Sequence, residues 1–504
     1  MAVKAPSVED VARIGRALGL NLSAQDAESF CRLLQPSFAA LNHVDELVEP
    51  TLPVKYPRDC GWRPSLEDNP LNAWFWRCEI KGAAEGPLQG KTFAIKDNIC
   101  VAGIPMMNGT RLLDGFVPNI DATVVTRILD AGGTISGKAV CESLCASGGS
   151  HTSDTGPVRN PHDPRRTTGG SSSGSGALMA AREVDMALGG DQGGSIRLPS
   201  AWCGIYGLKP TYGLVPYTGA FPIELTVDHL GPMARSAADC ALLLEVIAGP
   251  DGLDPRQQGN LAPVQYSKSL TGDVKDLRLA IVQEGFGLPG SEKDVDEGVT
   301  SAAHGFEKLG ALVTSVSIPW HRDGSALFSG LTEGTLATIH TGSGLGSNWN
   351  GYYATGLLEA YARGLRTHPD DLPETVKWMA ILGLYLRERY HGHYYAKTQN
   401  LRRSLKAAYD AVLRDHDLLV MPTIGIKPLL LPAPNCTREE YIRAAFGLAG
   451  SANTAQFDLT GHPAINVPCG KSDGLPIGMM LVGRTGDDAT VLRAADAWQR
   501  KFGA

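Results

Sequence analysis

The stretch that decides the fold is residues 169–210, GGSSSGSGALMAAREVDMALGGDQGGSIRLPSAWCGIYGLKP. It holds two Gly/Ser clusters separated by an apolar segment, and Asp191 stands just before the second cluster. A flexible linker has the composition of the first cluster, but a linker is usually followed by a new domain. Here the cluster runs directly into ALMAAREVDMAL, an apolar helix or helix–strand unit. Because a Gly/Ser loop that opens a buried helix directs backbone N–H groups toward a ligand, we expect a functional loop.

The segments around this stretch alternate between strands and helices. From Leu88 onward, short apolar strands and glycine-terminated helices follow one another, which predicts an α/β fold. The predicted strands are KTFAIKDNI, TISGKAV, DLRLAIVQ, ALVTSVSIP, DLLVMPTI, AINVPCG and IGMMLVGRT. Helices are predicted over ATVVTRILDAGG, near residues 295–309 and at the C-terminal end. We expect the core to span residues 86–318 and 416–504.

Residues 1–85 are expected to form an N-terminal helical unit that ends in a linker. Ser7 and Ser23 each precede a segment with acidic residues in its first turn, the pattern of a capped helix. The first helix carries apolar residues on one face, namely Val8, Val11, Ile14 and Leu18. A dimer contact is expected on this face, because an apolar face outside the main core often packs on a partner. Residues 49–85 are rich in Pro and Trp and are expected to be irregular.

Residues 319–415 have many aromatic side chains and few strand signals. This composition predicts a helical insertion between the two parts of the core. Aromatic residues in such an insertion are candidates to line a substrate pocket. They are Trp320, Phe328, Trp349, Tyr352, Tyr353 and Trp378.

Composition excludes several classes of function. The chain has 504 residues and a formal net charge of −7, so it has no basic surface suited to nucleic acid. Its first residues lack the apolar segment of a signal peptide, and no run reaches the length of a membrane span. The ten cysteines form no CxxC pair, which indicates reduced thiols and a cytoplasmic location. His391 and His393 form an HxH pair, but no cysteine or carboxylate cluster accompanies it, so no metal is expected.

Two short motifs resemble sites of other classes. GPLQGKT, residues 86–92, has three residues between its glycines where a phosphate-binding loop needs four, and it precedes a strand instead of following one. Gly170–Gly174 fits G-x-S-x-G, the nucleophile elbow of α/β-hydrolases, with Ser172 as the nucleophile. That elbow follows an apolar strand, whereas NPHDPRRTT precedes this one. The elbow hypothesis predicts that Ser172 is essential.

The second cluster has the composition of an oxyanion site. The N–H groups of Gln192, Gly193, Gly194 and Ser195 can converge on one point, and the glycines let a substrate approach the backbone. Ser195 then stands where a nucleophile would stand. Its base is a lysine or a histidine. Lys96 ends the FAIKDN strand, and either reaches solvent there or is buried and favours its neutral, basic form. His151 and His162 are the histidines nearest in sequence to the clusters.

These segments resemble the amidase signature family. KDN at 96–98, TTGGSSSGSGA at 167–177, GGDQGGSIRLPSAWCGIYGLKPT at 189–211 and GHPAINVP…GLPIGMMLVG at 461–483 fit its pattern in order. The resemblance covers most of residues 88–245 and 450–500. It implies a large twisted mixed β-sheet with helices on both faces and no cofactor. No membrane-binding apolar segment precedes the core, which argues against membrane contact.

The resemblance also implies roles for particular residues. Carried over by position, Lys96 is the base, Ser171 the bridging serine after a cis peptide bond at Gly170, and Ser195 the nucleophile of a Ser–cis-Ser–Lys triad. Supporting roles follow for a further set: Asn98 orienting Lys96, Thr168 near the bridging serine, and Asp191 paired with Arg197 to brace the loop.

Within the family, Gln192 in GDQGGS resembles bacterial amidases of small aliphatic and aromatic amides, often found beside nitrile hydratase. The N-terminal helical unit resembles the same group, whose members form homodimers. The alternatives are an amidotransferase A-type subunit specific for glutamine, an amidase of anilides or hydrazides, and a non-enzymatic binding protein. A largely apolar pocket is expected, with room for a bulky acyl group beside four small residues: Cys145, Ala146, Gly447 and Gly450.

Overall fold

The computed structural model describes residues 3–257, 261, 264–342, 344, 348–447 and 452–503. The chain divides into two compact units, Met1–Pro53 and Val54–Ala504. The first unit contains helices α1 (Val8–Ala17) and α2 (Ala24–Glu46). The predicted caps are confirmed, since the Ser7 and Ser23 hydroxyls each accept a hydrogen bond from the backbone N–H three residues on. Several apolar side chains of this unit are exposed: Val8, Ile14, Leu18, Phe30, Leu33 and Val44.

The second unit is built on strands. In chain order they are β1 (Trp74–Lys81), β2 (Thr92–Lys96), β3 (Thr134–Ala139), β4 (Arg159–Asn160), β5 (Asp163–Thr167), β6 (Met186–Asp191), β7 (Tyr206–Lys209), β8 (His229–Ala234), β9 (Arg278–Val282), β10 (Leu312–Val316), β11 (Leu418–Pro422), β12 (Ala464–Ser472) and β13 (Leu475–Val482). All strands predicted from the sequence are present among them.

Eleven of the strands in the described residues form one mixed sheet, and β4 and β5 form a separate hairpin. The order in the large sheet is β1-β3-β2-β6-β8-β7-β12-β13-β11-β9-β10. Strands β3, β2 and β6 run parallel, as do β11, β9 and β10, and the strands between these groups pair antiparallel. The carboxyl ends of the neighbouring parallel strands β2 and β6 therefore meet at one edge.

Helices cover both faces of the sheet. Those of the second unit are α3 (Thr123–Asp130), α4 (Ser173–Ala180), α5 (Arg197–Cys203), α6 (Ala237–Ile247), α7 (Lys293–Gly305), α8 (Gly324–Ser329), α9 (Thr332–Leu336), α10 (Thr355–Thr367), α11 (Glu374–Tyr390), α12 (His393–Leu413), α13 (Arg438–Phe446), α14 (Ala455–Thr460) and α15 (Asp488–Phe502). Strands β6 and β13 are buried along their whole length, which explains their continuous apolar runs. Helices α8 to α12 lie within residues 319–415, the segment for which a helical insertion is expected.

One expectation for residues 49–85 is wrong. The segment WFWRCEIK forms β1, the edge strand of the sheet, and pairs antiparallel with β3. The pairing is interrupted by two register shifts, and the strand is buried at some positions and exposed at others. An edge strand with bulges lacks the apolar run of a central strand, so its strand signal is weak at the level of sequence.

Candidate active site

Lys96 is the last residue of β2 and is fully buried. Its Nζ donates to Ser171 Oγ at 2.8 Å and to the Gly190 carbonyl at 3.0 Å. The alternative in which this side chain reaches solvent is therefore wrong. The apolar residues before it fix the strand in the sheet, so the amine is held at the edge where β2 and β6 end.

Ser171 lies in the loop between β5 and α4 and is also fully buried. The peptide bond that joins it to Gly170 is cis. A Cβ at Gly170 would lie 2.2 Å from the Gly149 carbonyl oxygen, so the packing admits only glycine there. The Ser171 carbonyl accepts a hydrogen bond from the Glu142 N–H at 3.2 Å. The loop thus holds the Ser171 hydroxyl against the Lys96 amine.

Asp191 organises the loop that carries Ser195. Its carboxylate accepts hydrogen bonds from the N–H groups of Gly194 at 2.5 Å and Ile196 at 3.0 Å. The Arg197 guanidinium donates to both Asp191 oxygens at 3.0 Å. Although burial favours the neutral acid, the Arg197 charge holds the pKa of Asp191 well below its usual range. The paired charges fix the turn from β6 into α5.

A second pair of residues, not singled out from the sequence, braces this loop from α14. Thr454 Oγ1 donates to the Gly193 carbonyl at 2.6 Å, and the Thr454 carbonyl accepts from Arg197 at 2.9 Å. Asp458 accepts from Arg197 Nη2 at 2.6 Å. Burial, with the nearby charge of Asp191, raises the pKa of Asp458 well above its usual value. The peptide between Gly193 and Gly194 is therefore held at its carbonyl by Thr454 and at its N–H by Asp191.

This arrangement changes the expected set of oxyanion donors. The Gly194 N–H is directed at Asp191, so it does not face a substrate, contrary to the sequence expectation. The N–H groups of Gln192, Gly193 and Ser195 have no acceptor among the described residues. Asp191 requires the Gly194 N–H to close the turn, and this requirement is not visible in the GGDQGGS pattern alone.

Two predicted supporting residues have other partners in the structure. The Asn98 amide donates to Tyr217 Oη at 3.4 Å, and no hydrogen bond joins it to Lys96 within the described ranges. Thr168 Oγ1 donates to the Gly169 carbonyl at 2.9 Å and not to the bridging serine. Tyr217 also accepts from the Gln192 amide at 3.1 Å, so it links the β2 end to the second cluster.

The competing nucleophile and bases are occupied elsewhere. Ser172 Oγ is fully buried and hydrogen-bonds the Gly190 N–H and carbonyl, both at 3.2 Å. His151 Nε2 contacts the Tyr441 carbonyl at 3.1 Å, and His162 Nε2 contacts the Cys203 carbonyl at 3.0 Å. In the described part of the chain, neither histidine hydrogen-bonds to Ser171 or Ser195, and neither lines the cavity that Ser195 faces.

Ser195 faces a cavity of about 350 Å³, whereas Ser172 does not. The cavity is mostly apolar, and Cys145 and Ala146 lie in its wall as expected. Phe328 and Trp378 are the aromatics of the insertion that reach it. Of the other small residues, Gly447 is not in the wall, and Gly450 lies outside the described residues. The remaining wall comes from residues 147–148, the nucleophile loop and the start of α5, residues 223–227, α8, α9, α11, α13 and residues 452–455.

A sequence model of the amidase family matches residues 73–492. The matched region contains every residue of the site described above.

The chain belongs to the amidase family. This amidase is 44% identical to an enantioselective amidase of Rhodococcus rhodochrous, over 97% of this chain and 95% of the relative. It is 37% identical to the A-type subunit of the glutamyl-tRNA(Gln) amidotransferase of Methanosarcina acetivorans, over 82% of this chain and 85% of that one. The solved structure of the corresponding amidotransferase chain of Thermotoga maritima superposes with a TM-score of 0.70 at 28% identity, covering 86% of this chain and 88% of that one. The amidase is a hydrolase that acts on amide C–N bonds.

Proposed function

We propose that this amidase hydrolyses small aliphatic or aromatic carboxamides to a carboxylic acid and ammonia through an acyl-enzyme on Ser195. The observation that carries the proposal is the contact of the buried Lys96 amine with Ser171, next to a cavity that Ser195 faces. The Ser172 N–H donates to the Ser195 carbonyl at 3.2 Å, which keeps the two serine-bearing loops adjacent.

In the proposed first step, neutral Lys96 accepts a proton from Ser171 while Ser171 accepts one from Ser195. The Ser195 oxygen forms a bond to the amide carbon, and the carbonyl oxygen becomes an oxyanion. Ser171 then gives a proton to the leaving nitrogen and regains one from Lys96, while the C–N bond breaks and ammonia departs. A water molecule attacks the ester by the same proton path and releases the acid.

The proposed oxyanion donors are the N–H groups of Gln192, Gly193 and Ser195. Their direction is set by Asp191 and Thr454, which hold the Gly193–Gly194 peptide. Donors fixed before the reaction stabilise the developing charge without reorganisation, and loss of one such donor costs about 3–4 kcal/mol. Asp191 and Arg197 are proposed to brace the loop, and Gly170 to admit the cis bond.

Glutamine hydrolysis as part of an amidotransferase is the competing function, because the amidotransferase relatives share this site region. The cavity supports the small-amide hydrolase instead, since glutamine carries a carboxylate and no Lys, Arg or His side chain is among the described residues that line the mostly apolar wall. Anilides and hydrazides are further C–N substrates that the same step would cleave. The proposal includes a cytoplasmic location, which the unpaired state of all the cysteines supports.

The proposal is tested by ammonia or amine release from acetamide, propionamide, benzamide, an anilide and glutamine. We expect release from the aliphatic or aryl amides and its loss in Ser195→Ala. Release from glutamine alone would assign the chain to the amidotransferase class. Undiminished release in Ser195→Ala would overturn the role of Ser195.

A homodimer is also proposed. Its support is the set of exposed apolar side chains on α1 and α2 of the first unit.

A further inference from the structure

The cavity beside Ser195 contains one carboxylate. Glu224 is the only carboxylic acid among the described residues that line it, and no Lys, Arg or His is among them. Glu224 itself is 4% exposed. The proton path from Lys96 through Ser171 to Ser195 makes no use of this residue. A carboxylate in an apolar pocket is costly unless something compensates its charge.

The structure fixes one oxygen of Glu224 and leaves the other available. Oε1 accepts from Thr226 Oγ1 at 2.7 Å and from Tyr395 Oη at 3.1 Å. Oε2 accepts no hydrogen bond from any described residue, and a Cβ at Gly334 would lie 2.2 Å from it. Any side chain at Gly334 would therefore displace the carboxylate, so α9 is shaped around it.

No cation in the described part of the chain forms an ion pair with Glu224. Arg402 is near, but its guanidinium donates to the carbonyls of Leu459 at 2.6 Å and Thr226 at 3.1 Å. It also donates to Gln399 Oε1 at 3.0 Å. Burial raises the pKa of Glu224, as expected for a carboxylate without a paired cation. A ligand with a positive charge would offset the cost of burying this carboxylate.

We propose that Glu224 forms a subsite for a protonated amine on the acyl group, so that amides of amino-substituted acids are preferred substrates. This inference rests on the proposed hydrolysis of small amides and names a substrate class for it. The ammonium donates to Glu224 Oε2 while the alkyl chain lies along the apolar wall. In a mostly apolar pocket, a small number of precisely placed polar groups usually determines which substrate binds.

The experiment uses ω-amino alkanamides of increasing chain length, each paired with the alkanamide that carries a methyl group in place of the ammonium. The measured quantity is the ratio of kcat/KM within each pair. At the length that reaches Glu224 we expect the amino amide to be preferred. In Glu224→Gln the ratio should fall about tenfold or more, because a hydrogen bond to a charged group is replaced by a neutral one.

Tyr395→Phe is the matched control. Tyr395→Phe removes a hydrogen bond from Oε1 but leaves the charge of Glu224. If Glu224 had a purely structural role, Tyr395→Phe and Glu224→Gln would behave alike. We expect the ratio of kcat/KM values within each pair to change only in Glu224→Gln. Glu224→Asp shortens the side chain and should shift the preference to the next longer amino amide. A preference for the methyl partner at every length, unchanged in Glu224→Gln, overturns the subsite.

Calorimetric measurement of how tightly the two amides of each pair bind to the Ser195→Ala variant, with and without Glu224→Gln, separates this inference from the proposed function. If the wild type cleaves neither amide but the amino amide still binds more tightly in a Glu224-dependent way, the hydrolytic proposal fails and the subsite stands. If both amides are cleaved but bind equally, the subsite fails and the hydrolytic proposal stands.

Discussion

Ser171 and Ser172 are consecutive serines whose hydroxyls contact different groups. The Ser171 hydroxyl contacts the Lys96 amine, whereas the Ser172 hydroxyl is bound to both backbone groups of Gly190. Ser171→Ala should lower kcat by about 100-fold or more, because it breaks the proposed proton path. Ser172→Ala should retain most of the activity and lose about 1 kcal/mol of stability. Steady-state kinetics and thermal unfolding of both variants test this. Loss of activity in Ser172→Ala alone would support the nucleophile elbow.

Glu142 provides a second test at the residue scale. It is buried beside Gly170 and accepts hydrogen bonds from Thr152 and Ser173. Burial raises the pKa of Glu142 from 4.5 to about 7. Between these values the folded protein keeps a proton that the unfolded chain releases, so this group's contribution to stability falls as pH rises from about 5 to 7 and is constant above that.

Glu142→Gln removes this titration while an amide can still contact Thr152 and Ser173. The free energy of unfolding of the variant, measured by urea titration, should therefore increase relative to that of the wild type as pH rises from about 5 to 7. The difference should change by up to about 1.4 kcal/mol per pH unit. Parallel curves for the two proteins would show that Glu142 does not titrate in this range.

At the scale of elements, α14 holds the nucleophile loop through Thr454. Thr454→Val keeps the shape of the side chain but releases the Gly193 carbonyl. We expect kcat to fall up to about tenfold with little change in KM, because the affected N–H groups act on the oxyanion and not on the bound amide. Thr460→Val is the control, since Thr460 ends the helix that Thr454 precedes and contacts Gln456 and His462 instead. Equal losses in both variants would assign the effect to the helix as a whole.

The elements also show which features a sequence reveals. Lys96 and Ser195 lie in local motifs whose composition is itself unusual, so the residues alone made them candidates, whereas Ser171 was singled out only through the family resemblance. Thr454 and Asp458 contact the loop across separations of 261 residues, and only the packing of α14 brings them there. Glu224 was missed for the same reason, because Tyr395 and Gly334 come from the insertion. Seven of the thirteen described strands were predicted, mostly from apolar runs. The short strands β4, β5, β7 and β8 were not, and β1 was missed because an edge strand lacks such a run.

At the scale of the whole molecule, the proposed homodimer depends on the exposed apolar residues of the first unit. The combined change Leu33→Glu and Val44→Glu places charges on two α2 residues that are 69% and 60% exposed. Light scattering should show a shift from two chains to one, because a buried unpaired charge opposes association. Leu66→Glu, at an exposed residue of the second unit, should leave the mass unchanged. A monomeric wild type would overturn the dimer.

No helix in the described part of the chain is both long enough and apolar enough to cross a membrane.

The residues of the candidate site come from two parts of the fold, the sheet with the loops at its edge and the later helices. Lys96, Ser171 and Ser195 are held by β2, the start of α4 and the loop after β6, whereas much of the cavity wall belongs to α8, α9, α11 and α13.

This division means that a large part of the wall around the acyl group can vary without any change in the residues proposed to break the bond. Mutations confined to α8, α9 and α11 should therefore alter the acyl preference while Glu224 and the loop that carries Ser195 stay as they are. A laboratory library that varies only α8, α9 and α11 should for that reason contain many active members with new substrate ranges, whereas a library in residues 167–197 should contain few active members of any kind.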